Sequence, residues 1–255
     1  MRSITSILCI LCLCFITRAQ DVDPKPPQSA PSPETSKQGR EILEKAQDAL
    51  KQVKTVRYRM KYQAAGWVTK YASNVEGTVF VGELSELNIP RFRCEIKITP
   101  PDAKEPVELQ AGSDGDLYYV IDPKAKIVYA DIDEAVLGSR SQDVLRVPLR
   151  QFIVTEPLAG ELRSNKIELK DEEVVGGVDC HRIEITMTPT HRIVWFIAKK
   201  DHLPRRLVRV YTDATLGDGS VVYEIHDLEA MTTCDAKDFE LKVPDGYKKT
   251  DDFAP

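Results

Sequence analysis

The sequence is poor in the residues that most metal and nucleophile chemistry uses. Its 255 residues hold four histidines, His181, His191, His202 and His226, and no H-x-H or H-E-x-x-H spacing relates them. Of six cysteines, Cys9, Cys12 and Cys14 fall within the first nineteen residues, and Cys94, Cys180 and Cys234 are too far apart for a C-x-x-C zinc or redox motif. There is no G-x-S-x-G element and no catalytic-cysteine context, which argues against a hydrolase. A surplus of positive charge is also missing. Lys and Arg number 35 against 40 acids, whereas phosphate-backbone binding needs the reverse balance on one face, so nucleic acid is excluded as a partner. No internal repeat and no βαβ alternation of a nucleotide fold appear. No catalytic residue and no cofactor are implied.

One apolar run is present, Ile4 to Ile16, interrupted by Thr5 and Ser6 and preceded by Arg2. It is shorter than the roughly 20 residues a membrane span requires. Thr17-Arg18-Ala19 follows, so the segment reads as a signal peptide, 1–19, cleaved after Ala19, with a retained anchor as the alternative. Leu8, Leu11 and Leu13 precede the three early cysteines where a lipobox wants a small residue. Loss of Arg2 and Arg18 lowers Lys plus Arg from 35 to 33 and takes the net charge from −5 to −7. The expected compartment is exported and periplasmic. In an oxidising compartment the expected bridge is Cys180–Cys234 with Cys94 buried, and three buried free thiols are the alternative.

Residues 20–36 (QDVDPKPPQSAPSPETS) have no apolar period and read as a disordered linker. A domain is expected over 37–250, with 251–255 as a tail. It opens with a helix over 38–53, capped at Thr35 or Ser36, in which Ile42, Ala46, Ala49, Leu50 and Val53 share a face. The period then changes to two. Val56, Tyr58, Met60 and Tyr62 alternate with Arg57, Arg59, Lys61 and Gln63, and Phe92, Cys94, Ile96 and Ile98 alternate with Arg91, Arg93, Glu95 and Lys97. These are antiparallel strands with one buried and one wet face. Further strands are expected at 76–84, 107–111, 116–121, 126–130, 166–175, 178–188, 192–200, 205–212 and 219–229. Turns fall at Asp122-Pro123-Lys124, Gly176-Gly177 and His202-Leu203-Pro204. Residues 133–153 interrupt the strands as two short helices split near Gly138 and Pro148. In IVWFIA (193–198) both faces are apolar, which predicts cover on both sides.

The segments VGGVDCHRIEI, HRIVWFIAKKDHLPRRLVRVY and FELKVPDGYKK, behind a leading amphipathic helix and a meander with a helical insert, resemble exported proteins of the LolA-like superfamily. The resemblance implies an α+β fold, a curved, incompletely closed antiparallel half-barrel with helices over its concave face. It also implies an apolar cavity between sheet and helices that takes a lipid or a lipoprotein without catalysis. The alternative is a signalling or scaffold module of the same fold, bound to a membrane-associated protein partner and holding no lipid. On this reading the cavity is lined by Ile42, Leu50, Tyr58, Met60, Tyr62, Phe92, Ile96, Val136, Leu145, Leu149 and Trp195, each of which is also suited to plain core.

Other charged features have ordinary readings. Asp114-Gly115-Asp116 and Asp131-Ile132-Asp133-Glu134 lack the ligand order of a calcium loop and read as turns. Arg57, Arg59, Arg91 and Arg93 form a basic stripe that either meets a headgroup or acidic partner or pairs across strands. His181, on the face of Ile183 and Ile185, reads as a structural, hydrogen-bonded histidine.

Overall fold

The computed structural model describes residues 32–253 except 104 and 232; the expected signal peptide and most of the linker lie outside the described residues. The helix α1 spans Pro33–Gln52, starting inside the expected linker, because Ser32 Oγ caps the Thr35 amide and Pro33 occupies the first turn. Its buried face is Gly39, Ile42, Leu43, Ala46 and Leu50. A Cβ on Gly39 would stand 3.0 Å from the Leu169 amide nitrogen, so glycine is what allows the helix to lie on the sheet at this point.

Twelve strands follow: β1 (Thr55–Gly66), β2 (Asn74–Leu84), β3 (Pro90–Thr99), β4 (Val107–Ser113), β5 (Tyr118–Asp122), β6 (Ile127–Asp131), β7 (Ile167–Val175), β8 (Val178–Thr188), β9 (His191–Ala198), β10 (Pro204–Asp213), β11 (Gly217–Met231) and β12 (Lys248–Thr250). They form one sheet in the order β12-β6-β5-β4-β3-β2-β1-β11-β10-β9-β8-β7. The two edges, β12 and β7, do not pair, so the sheet is an open half-barrel. All pairings are antiparallel except the β12–β6 edge, which is parallel. At the β7–β8 hairpin Gly176 and Gly177 have φ of +57° and +82°, as the tight turn demands.

Between β6 and β7 the chain crosses the concave side. The expected two helices are instead three 3₁₀ turns, Glu134–Gly138, Gln142–Arg146 and Arg150–Phe152, followed by the one-turn helix α2 (Ala159–Leu162). Gly138, Pro148 and the serine and aspartate caps at Ser141 and Asp133 divide the segment too often for a full α-helix. These turns and α1 cover a single large core that joins Leu43 and Ala46 to Tyr58, Phe92, Val144, Val147, Ile183 and Trp195.

The convex face is protected differently. The outer residues of β9, Val194, Phe196 and Ala198, cluster with Val175 and Cys180. The Arg206 guanidinium sits 5.0 Å over the Phe196 ring and pairs with Glu173 and Glu224, so an arginine side chain roofs this patch. Farther along, the C-terminal motif is a strap. Phe239 stacks on Phe80 at 4.7 Å and fits over Gly82, where a Cβ would approach its ring to 2.7 Å. Leu241 and Tyr247 then pack on Tyr119, Ile121, Val128 and Ala130, β12 joins the edge, and Phe253 reaches the main core.

The Cys180–Cys234 bridge is not formed; Cys94, Cys180 and Cys234 are all free thiols. Cys180 is on β8, whereas Cys234 lies near Gly82 of β2, five positions away in the strand order. With neighbouring strands about 4.8 Å apart, that separation is well beyond disulfide reach.

Candidate functional site

The eleven residues expected to line a cavity separate into two groups. Ile42, Leu50, Tyr58, Met60, Phe92, Ile96, Val136, Leu149 and Trp195 are buried and belong to the continuous core. Tyr62 is half-buried and Leu145 exposed. Tyr62, Leu145 and Leu149 meet at a concave opening of about 290 Å³, which we term the mouth, between the 3₁₀ turns 142–152 and strands β1, β10 and β11. Leu207, Tyr211, Val221 and Tyr223 complete its apolar wall, and Arg146, Arg150 and Arg209 stand around it. The last two strands were legible as strands, but their part in the mouth was not. The available signal was Leu207, Arg209 and Tyr211 on one strand face, since a charge on an inward face marks the rim of a core rather than its centre.

Two tyrosines fix the cover over this mouth. The Leu149 amide donates to Tyr58 Oη at 2.9 Å, and Tyr223 Oη donates to the Val147 carbonyl. Burial pushes both phenols well above their ordinary range. Both therefore stay neutral, one hydroxyl accepting and the other donating, on either side of Pro148. Phe152 lies 5.6 Å from the Tyr58 ring and closes the same segment from below.

Charge collects at the rim. Arg146 pairs with Asp143 at 2.8 Å, and Asp143 also accepts from Ser73 Oγ at 2.6 Å. The His191 ring stacks on Tyr211 at 5.0 Å, and burial followed by the nearby Arg209 holds its pKa below the ordinary histidine value. His181 is lowered too, first by burial and then by Lys199, and its buried Nδ1 has no hydrogen-bond partner, contrary to the expected bonded role. Among the described residues no group of three His, Cys, Asp or Glu side chains could hold a metal ion. Asp114 accepts from the Asp116 and Leu117 amides and Asp133 from Ala135, so these acids serve turns. The basic stripe is committed to the chain itself. Arg57 lies 5.1 Å over Phe80, Arg59 pairs with Asp227, Arg91 donates to the Leu84 and Asp114 carbonyls and Arg93 to that of Asp238.

Residues 39–251 match the profile of a family, DUF2092, described as predicted periplasmic protein. The chain belongs to DUF2092. A DUF2092 protein is thus periplasmic, and no helix among the described residues is long and apolar enough to cross a membrane. No curated protein matches the chain in sequence. Among solved structures, LprF from Mycobacterium bovis is similar at 11% identity and a TM-score of 0.51, covering 86% of this chain and 100% of its own. The Mycobacterium tuberculosis lipoprotein LppX is similar at 14% identity and a TM-score of 0.46, covering 78% and 99%. MucB in the Pseudomonas aeruginosa MucA/MucB complex gives 11% identity and a TM-score of 0.44, covering 80% of this chain and 61% of that one. At these identities the likeness is one of fold alone, and the chain shares its fold with LprF.

Proposed function

We propose that this DUF2092 protein is a non-enzymatic binding module of the periplasm that takes a lipid or a lipidated protein, with one acyl chain in the mouth. The observation that carries this reading is the mouth itself, an apolar and aromatic wall ringed by three arginines that suit an anionic headgroup. Its 290 Å³ lies just below the ~300–1,000 Å³ typical of ligand pockets, which fits one chain and not two. About six buried methylenes would contribute ~5 kcal/mol, a submillimolar affinity before ordering costs.

A second reading rests on the filled core. Nine of the eleven residues expected to line a hollow pack against one another, which suits a scaffold that binds a protein partner and holds no lipid. Solvent extraction of the purified protein followed by mass spectrometry, together with titration of a fluorescent fatty acid, separates the two. Acyl chains in the extract and a probe affinity lowered about tenfold by the mouth-filling Val221→Trp support the first reading. A clean extract together with no probe binding would refute it in favour of the second.

A further inference from the structure

We propose that the end of the half-barrel beside the mouth is a platform that docks on a phospholipid surface. Two loops build it, 66–73 between β1 and β2 and 213–218 between β10 and β11. They are locked to each other. Trp67 Nε1 donates to the Gly217 carbonyl at 3.2 Å, and Gly66, at φ +63°, lies so near Asp218 that a Cβ would stand 2.4 Å from its carbonyl oxygen. At Gly219 a Cβ would meet Val68 at 2.7 Å. Beneath the loops Val68, Ala72 and Val221 form a small core of their own, which Tyr62 and Tyr211 of the mouth also join. The platform is thus a rigid continuation of the mouth.

What it presents outward is not needed for this packing. Tyr71 is 72% exposed and Leu216 54% exposed, and the Tyr71 ring meets Trp67 edge-on at 6.2 Å. Isolated exposed apolar residues are ordinary. Here, however, a Trp–Tyr pair, a leucine and the exposed Lys70 are held together on stiff loops, the combination that favours a membrane–water interface. Charge points the same way. Lys70, Arg146 and Arg150 are exposed, and the Ser73–Asp143 bond ties the arginine-bearing turn to the platform. Of the acids close by, Asp143 holds Arg146 and Asp218 accepts from Thr212 and faces Arg192, while Asp213, whose carboxylate accepts from the Thr215 and Leu216 amides, keeps its charge and is outweighed by Lys70, Arg146 and Arg150. An anionic bilayer surface complements this end. Docking goes beyond the acyl-chain reading and does not depend on an occupied mouth.

The test is flotation of the purified full protein with phosphatidylethanolamine–phosphatidylglycerol vesicles, read with intrinsic fluorescence. The chain has two tryptophans and Trp195 is fully buried, so a blue shift on binding reports Trp67. Tyr71→Asp and Leu216→Asp should each lower the vesicle-bound fraction about tenfold, and Lys70→Glu should weaken binding in an ionic-strength-dependent way. Ile132→Asp, at an 80% exposed position on the opposite end of the strands, should change nothing. Wild-type protein that stays unbound, or equal effects at Ile132 and Tyr71, would overturn the proposal. So would capture of an envelope protein through Tyr71 with no vesicle binding. Fatty-acid titration of Tyr71→Asp should match wild type, since Tyr71 does not line the mouth, which keeps a failed platform distinct from a failed mouth.

Discussion

Replacing Tyr58 by phenylalanine removes one oxygen and creates no cavity, so its effect isolates the latch on the cover. The Leu149 amide would lose its acceptor, at 2.9 Å, in a buried setting. An orphaned buried donor costs ~1–3 kcal/mol. If that cost falls on local opening of the cover, amide exchange there rises by roughly 5- to 150-fold, since every 1.4 kcal/mol is tenfold. Tyr223→Phe frees the Val147 carbonyl of the same segment and should act in the same place. The double variant should fall short of the sum of the two, because either loss already releases the turn around Pro148. Hydrogen-exchange mass spectrometry of peptides within 141–153 reads this, with urea unfolding as the global reference. Unchanged exchange in 141–153 would refute the latch. So would an even increase across β1 and β11 that matches the loss of global stability, because the tyrosines would then be holding the sheet and not its cover.

Maleimide labelling of the native protein should modify Cys234 rapidly while Cys94 and Cys180 react only on unfolding. Cys234 is half-buried and the other two are fully buried, with burial pushing the Cys94 thiol up to about 12. An unreduced sample in which Cys180 and Cys234 appear as one bridged peptide would contradict the fold. Stability should also fall with acidification below the ordinary histidine pKa of about 6.5. His181 and His191 both have folded pKa values below their unfolded ones, so the unfolded chain binds more protons in that window. Their contribution is complete above the unfolded value and is lost as pH falls through the window to the folded value. Thermal melts from pH 7.5 to 5 should show the decline, and His191→Gln should flatten it; an unaltered slope would remove His191 from the account.

Much of the fold is legible in the sequence because a period of two is unambiguous where one face is wet. Val56-Tyr58-Met60 and Phe92-Cys94-Ile96-Ile98 are buried as their alternation demands, with Arg57, Arg59, Arg91 and Arg93 outside. The two-sided strand 193–198 carried a real signal whose cause was hidden. Its outer residues are roofed by Arg206, a residue any pattern assigns to solvent. The C-terminal motif was visible only as letters, since the partners of Phe239, Gly82 and Phe80, lie more than 150 residues earlier. The mouth was legible least of all. A cavity wall and a core share one composition, so Tyr58 and Trp195, expected as lining, pack in the core, while Leu207 and Val221 stand in the wall of the mouth. What separates them is where the cover ends, and proline, glycine and serine in 133–153 set that through 3₁₀ geometry rather than through an apolar period.

The filled core and the latched cover bear on carriage together. Lifting residues 142–152 would expose Val144, Val147 and Leu149, each buried, and break the two tyrosine bonds and the Ser73–Asp143 bond. At about 2 kcal/mol per apolar side chain and ~1 kcal/mol per bond, opening costs roughly 9 kcal/mol. An acyl chain of a dozen carbons that took the vacated surface would return ~10 kcal/mol before its own ordering is counted. The two are close enough that chain length decides the outcome. A short chain gains only the mouth and leaves the latch closed, whereas a long one can replace the cover it displaces. A protein whose core is full without ligand can therefore still exchange cover for lipid, provided the cover is held by a few breakable contacts at one end. The tyrosine pair on either side of Pro148 has that character, because each hydroxyl bonds backbone of the cover, and the Ser73–Asp143 bond adds one further tie to be released.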